Sequence, residues 1–231
     1  DIKGHWAENT IKSWINQGLA VGYEDGSFRP EVKVNRQEFT ALVNRSFGLV
    51  EPGIIQYTDV AQTDWSYSDI SRATKAGYVS GYPDGTFKPK QEMNRQEVAV
   101  AIAKLVRLKS SASADLYEDA INSTAWSKGA IGAVIDTDIM AGYPDGTFRP
   151  LRSATRAEAL VILDKALKVK AEQGSTVPTP TPSASPESSP FPPSSASPSQ
   201  PTLATATVAA GASVTISAPI EGVTAWLAPA G

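Results

Sequence analysis

The nonapeptide Gly22-Tyr-Glu-Asp-Gly-Ser-Phe-Arg-Pro30 returns as Gly81-Tyr-Pro-Asp-Gly-Thr-Phe-Lys-Pro89 and again as Gly142-Tyr-Pro-Asp-Gly-Thr-Phe-Arg-Pro150. The copies lie 59 and 61 residues apart. Trp6, Trp65 and Trp126 each stand 16 residues before the first Gly of their copy, and Ile11, Ile70 and Ile131 each follow their Trp by five. Arg36, Arg95 and Arg156 each follow the closing Pro by six. Motifs in phase over this many positions are an internal repeat, and the repeat decides the fold.

Each copy lies between two stretches that predict helices. The first helix should run near Trp6 to Leu19, Trp65 to Tyr78 and Trp126 to Ile139. The second opens on a capping box: Asn35-Arg-Gln-Glu38, Asn94-Arg-Gln-Glu97 or Thr155-Arg-Ala-Glu158. The cap side chain accepts the amide three residues on, and the Glu reaches back to the cap's own amide. Apolar residues then recur at helical spacing, as in Phe39, Leu42, Val43 and Phe47. One two-helix unit cannot bury such a stripe, but three packed together can. The expected fold is all-α: three helix–loop–helix modules in one compact, pseudo-threefold domain.

Within the nonapeptide, Pro-Asp-Gly suits a tight turn, with Pro second, Asp third and Gly at positive φ. Phe28, Phe87 and Phe148 should fold back onto the helices. A calcium loop fits poorly, because it needs alternating oxygen ligands and a closing Glu.

The chain has 231 residues, a net charge of −3, one histidine and no cysteine. Disulfides, thiol catalysis and cysteine–zinc sites are excluded, and a lone His5 argues against a Ser-His-Asp triad or a multi-histidine metal site. The charge balance does not suit a duplex nucleic acid partner, and no apolar run is long enough to span a membrane. Acidic residues are plentiful, yet their spacing singles out no glycosidase pair. No catalytic residue, metal or cofactor is expected. The sequence opens at Asp1 without a signal peptide, so any export signal should lie upstream or have been removed.

All 21 Lys and Arg precede Ala171. From Gly174 to Thr202, 22 of 29 residues are Pro, Ser or Thr, which predicts a disordered, semi-rigid spacer. Residues 203–231 alternate β-branched and small residues, as the start of a truncated β-rich domain would. The modules are read as 1–50, 51–110 and 111–173, followed by the spacer at 174–202.

Two residue sets are candidates for binding. Trp6, Trp65 and Trp126 could pack in the core, or could offer a face on which a sugar lies. Arg36, Arg95 and Arg156 occupy the first helical position, beside backbone amides and the positive end of the helix dipole. That position disfavours a cation for stability but suits a carboxylate or phosphate ligand. Pairing with the capping Glu of the same box is the structural alternative. On the binding reading, these arginines should contribute little to folding.

The three motifs together resemble S-layer homology modules over residues 1 to about 169. Three in tandem beside a Pro/Ser/Thr stalk resemble the cell-wall-anchoring end of a bacterial S-layer or other surface protein. The resemblance implies a three-pronged arrangement in which one helix per module joins a central three-helix bundle. It implies inter-module grooves that bind secondary cell wall polymer non-covalently, often through a terminal N-acetylmannosamine bearing a pyruvate ketal. The motif arginines would hold the carboxylate, and the Trp of an adjacent module would pack on the sugar. A secreted protein at the cell wall follows, whose full-length form could assemble into an S-layer lattice.

Departures from the family pattern suggest unequal grooves. Gln37 and Gln96 add donors where the third box has Ala157, and Asp64 could accept a ligand hydroxyl where Ala125 or His5 precedes the other Trp residues. A closed trimer should pair Arg36 with Trp65, Arg95 with Trp126 and Arg156 with Trp6, the last being weakest beside a frayed chain end. The expected function is non-catalytic anchoring. The alternative is the anchoring module of an exported polysaccharide-active enzyme whose catalytic domain lies outside these residues. A third reading, a helical protein-interaction repeat, would need an exposed apolar groove.

Overall fold

The computed structural model describes residues 1–121 and 123–175, all within one compact unit, Asp1–Thr181. Most of the expected spacer and all of the segment expected to be β-rich lie outside the described residues. The order is α1 (Glu8–Asn16), α2 (Arg36–Phe47), α3 (Tyr67–Ala76), α4 (Arg95–Val106), a single turn of tighter helix at Ser113–Leu116, α5 (Glu118–Ile121), α6 (Ala125–Asp136) and α7 (Arg156–Ser175). Among the described residues there is no sheet, only isolated bridges.

The all-α class holds, with three local corrections. Trp6 and Trp65 lie two residues ahead of α1 and α3, so of the three only Trp126 is helical. The first helices also end early, α1 just before Gly18 and α3 at Gly77, both at positive φ. Finally, α7 runs two residues into the stretch assigned to the spacer.

The second helices begin where their capping boxes place them. Asn35 Oδ1 accepts the Glu38 amide at 2.9 Å and Glu38 Oε2 accepts the Asn35 amide at 3.2 Å. Asn94 with Glu97 and Thr155 with Glu158 repeat the exchange.

The residue just ahead of each box joins the modules. The Val34 amide donates to Ala154, the Ala154 amide to Met93, and the Met93 amide back to Val34, at 2.9–3.0 Å. Three modules thus form a closed cycle of backbone bonds. Helix packing follows the same cycle: α3 lies on α2, α6 on α4 and α1 on α7, while α7 packs against both α2 and α4. Each first helix therefore covers the second helix of the preceding module. Asn44 of α2 donates to the Asp69 carbonyl at 2.8 Å and accepts from Tyr78 at 3.0 Å. Burial pushes the Tyr78 hydroxyl pKa well up, so it stays a donor. Trp14 of α1 donates to Asp164 of α7 at 3.2 Å. One apolar core, including Ile11, Phe39, Ile102, Ile131 and Leu163, runs through all three units.

The nonapeptides turn as expected. The Gly26 amide closes the turn on Tyr23 at 2.9 Å, and Gly26, Gly85 and Gly146 sit at φ 78–79°. Phe28, Phe87 and Phe148 are buried in the common core. The next residues, Arg29, Lys88 and Arg149, are at φ 55–57°, which strains a non-glycine backbone. Upstream carboxylates hold them there: Asp1, Asp59 and Asp119 each accept two successive amides, from Phe28 and Arg29, Phe87 and Lys88, or Phe148 and Arg149. Asp1 is thereby tied to the fold rather than frayed. The turn carboxylate Asp145 accepts from the Thr147 hydroxyl and from Arg149, and its pKa falls from 3.8 to about 2.

Two outcomes follow. A fragment ending at Lys109 loses α7, which leaves α1 without its partner and the cycle open. It should aggregate or show no cooperative melt, whereas a monomeric, cooperatively folding fragment would contradict closure. Because Asp145 has a depressed folded-state pKa, the stabilisation it brings is present above its unfolded value and is lost as pH falls through about 2. A carboxyl titration by NMR should place its midpoint there.

Candidate functional site

The motif arginines are not beside free amides. The next module's turn already takes the first amides of each second helix: Arg36 and Gln37 donate to Gln91 and Pro89, Arg95 and Gln96 to Arg152 and Pro150, Arg156 and Ala157 to Val32 and Pro30. Their guanidinium groups reach into the same neighbour. Arg36 donates to the carbonyls of Phe87 and Ser80 at 2.8 and 2.9 Å. Arg95 donates to Phe148 and Ala141 at 2.8 and 2.7 Å, and Arg156 to Phe28 and Val21 at 3.1 and 3.2 Å. The three residues are only 5–7% exposed.

This corrects the expectation that the arginines contribute little to folding. Each one bridges two modules through one buried carbonyl, that of Phe87, Phe148 or Phe28, and a second, more accessible one. Nor does any donate to the capping Glu of its own box; among the described residues the one carboxylate within 4 Å of a motif guanidinium is Glu38, 3.9 Å from Arg156. Burial pushes the Arg95 pKa down, against the opposing fields of Tyr143 and Glu158. Each guanidinium also lies near a Tyr of the next nonapeptide: Arg156 by Tyr23 at 4.9 Å, Arg36 by Tyr82 and Arg95 by Tyr143 at 5.0 Å.

The tryptophans do the opposite. Trp6, Trp65 and Trp126 are 62, 61 and 54% exposed, so the core-packing reading fails for all three. Among the described residues the buried indole is Trp14.

Arginine and tryptophan meet in a different register from the expected one. Arg95 and Trp6 line a cavity of about 470 Å³ with Tyr143, Arg152, Glu158 and Lys165. Arg156 and Trp65 line one of about 290 Å³ with Tyr23, Glu38 and Arg45. Trp126 lines a third, of about 390 Å³, with Lys104 and Arg107. The first two cavities each take residues from all three modules. The shift has a simple cause: the guanidinium is drawn into the next module's turn, so it emerges against the Trp one module further on. The ranking built on an Arg156–Trp6 groove lapses with that pairing.

The remaining candidates divide. Gln96 is buried, with its Oε1 accepting from Ser127 at 3.1 Å. Gln37 accepts likewise from Ser66 at 3.0 Å but also lines a cavity of about 760 Å³ with Trp65 and Asp64. Asp64 accepts the Ala61 amide at 2.8 Å. His5 bonds Glu31 at 2.7 Å and stacks at 5.4 Å on Trp6.

Three basic residues escape the motif reading. Arg45, Lys104 and Lys165 each follow the motif arginine by nine positions, and each lines a cavity with one of the tryptophans. Constant spacing was the signal for them; Asp1, Asp59 and Asp119 drift by one residue per module, at 21, 22 and 23 positions before the nonapeptide, and gave no such signal. The candidate site is thus an exposed indole beside an accessible cation and, in two cavities, a Tyr, a Glu and a deeply held guanidinium. Such a mixture suits a sugar with an acidic substituent.

Arg95→Ala should strand the buried Phe148 carbonyl, remove the bond to Ala141 and open a void between modules. Two lost charge-assisted bonds imply a stability loss of roughly 2–4 kcal/mol. Denaturant unfolding would measure it, and an unchanged midpoint would show the inter-module bonds to be dispensable.

The S-layer homology domain model matches residues 1–40, 56–99 and 116–160. "Cell surface glycoprotein 1" of Acetivibrio thermocellus is 34% identical over 162 residues, 64% of this chain and 7% of that protein. "Exoglucanase XynX" of the same species is 28% identical over 170 residues, 71% of this chain and 16% of that protein. Its "Cellulosome-anchoring protein" is 28% identical over 156 residues, 64% of this chain and 35% of that protein. The chain spans well under two thirds of each of these relatives.

Proposed function

The chain belongs to the S-layer homology domain family, and we propose that it anchors a surface protein to the bacterial cell wall by binding an anionic wall glycan in its inter-module cavities. The single observation that carries this reading is the joint lining of the Arg95–Trp6 and Arg156–Trp65 cavities. An exposed indole supplies a face for a pyranose ring. Lys165 or Arg45, more accessible than the buried guanidinium, meets a carboxylate first, with Arg95 or Arg156 behind it. A terminal N-acetylmannosamine with a pyruvate ketal presents both features, an apolar sugar face and a fixed negative charge. The binding module is non-catalytic, and the protein is secreted and sits at the cell wall or in an S-layer.

The cargo is a separate matter. A relative named for cellulosome anchoring supports an anchoring role, and one named as an exoglucanase supports the alternative that the cargo is a polysaccharide-active enzyme. The described residues would act alike under both.

Calorimetric titration with a synthetic pyruvylated N-acetylmannosamine tests the reading, with the unsubstituted sugar as control. Trp65→Ala and Arg45→Gln should each weaken binding roughly tenfold at one site while leaving the melting temperature unchanged. Equal affinity for both sugars would overturn it.

A further inference from the structure

Trp65 borders two cavities. One is the Arg156 groove, and the other, of about 760 Å³, is lined by Gln37, Asp64, Lys88, Lys90 and Gln91. We propose that this second cavity is a subsite for the interior of the same acidic glycan, so that the chain crosses Trp65 rather than ending at it. The inference rests on the anchoring reading for the identity of the polymer.

The lining has the chemistry of a sugar subsite: an indole edge, two amide side chains, two ammonium groups and two carboxylates, of which Asp59 is taken up by the Phe87 and Lys88 amides. The Asp64 carboxylate is half engaged, with its Oδ2 accepting the Ala61 amide at 2.8 Å. Lys90 is exposed and has no ion pair among the described residues. Lys88 lies 3.4 Å from Asp84, while its counterparts Arg29 and Arg149 hold their carboxylates at 2.7 and 2.6 Å. It is the most loosely engaged of the three. The asymmetry makes the subsite specific to one place on the ring. Residues following the nonapeptide Pro are Glu31, Lys90 and Leu151, so only the second module carries a cation there. A polymer that continued past every tryptophan alike would find a negative, a positive and an apolar neighbour in turn.

The test compares two synthetic probes: pyruvylated N-acetylmannosamine alone, and a tetrasaccharide of N-acetylhexosamines that ends in it and carries one further acidic group internally. Lys90→Glu copies the first module and lies on the surface, so the melting curve should not move. The tetrasaccharide should bind the parent more tightly than the monosaccharide, and Lys90→Glu should remove most of that advantage, about tenfold, with monosaccharide binding unchanged. Lys90→Arg should retain it. Parent affinities equal for the two probes, or a tetrasaccharide affinity untouched by Lys90→Glu, would overturn the subsite while leaving the anchoring reading intact. If neither probe binds the parent, the anchoring reading falls and the subsite with it.

Discussion

Everything in this structure hangs on how the start of each second helix is satisfied. A helix leaves its first amides without partners, and a capping box supplies an acceptor for only one of the helix's own. Here the next two go to carbonyls of the following module's turn, and the guanidinium beside them goes to two more. The helix start is therefore incomplete until its neighbour is in place. With three modules, the last neighbour is the first module, and Arg156 reaches back to Val21 and Phe28 to complete the cycle. Stability and closure become the same requirement.

That requirement also shapes the surface. Because each motif arginine is engaged in an inter-module lock, the charges of Arg95 and Arg156 lie at the floor of a cavity rather than at the rim. The rim belongs to Trp, Tyr and the basic residue nine positions along the helix. Burial makes the floor charge costly unless it is bonded, and two carbonyls meet that cost only in part. An anionic ligand at the mouth would compensate it further. The nonapeptide serves both purposes. Its buried Phe fixes the turn in the core, its carbonyls receive the arginine, and its Tyr lines the cavity.

The repeat was legible because it recurs in phase, and the all-α class, capping boxes and turns could be read from residue type and spacing. The swap of partners was not. Whether α1 covers its own second helix or that of α7 depends on loop geometry, and sequence spacing is silent on it. The same blindness moved the tryptophans by one module, since Arg36 and Trp65 are neighbours in sequence order but not in the cavity. Trp14 and Trp6 differ by eight residues and have opposite fates, and only Trp6 belongs to the repeat. Recurrence there marked a surface role, against the habit of placing indoles inside. The buried arginines failed for the converse reason. A cation at a helix start looks unfavourable for folding until the acceptors supplied by another module are known.

The proposed binding site, assembled from three modules, would have a thermodynamic consequence. Trp6, Lys165 and Arg95 share a cavity only while modules one, two and three are closed on one another. A ligand in that cavity binds the closed form and has no site on an opened one. Its binding free energy therefore adds to the stability of closure, as RT ln(1 + [L]/Kd) for each occupied site. Opening any one inter-module joint while the ligand stays in place would have to break ligand contacts as well as the backbone cycle. On the proposed anchoring role, attachment and folding would reinforce each other.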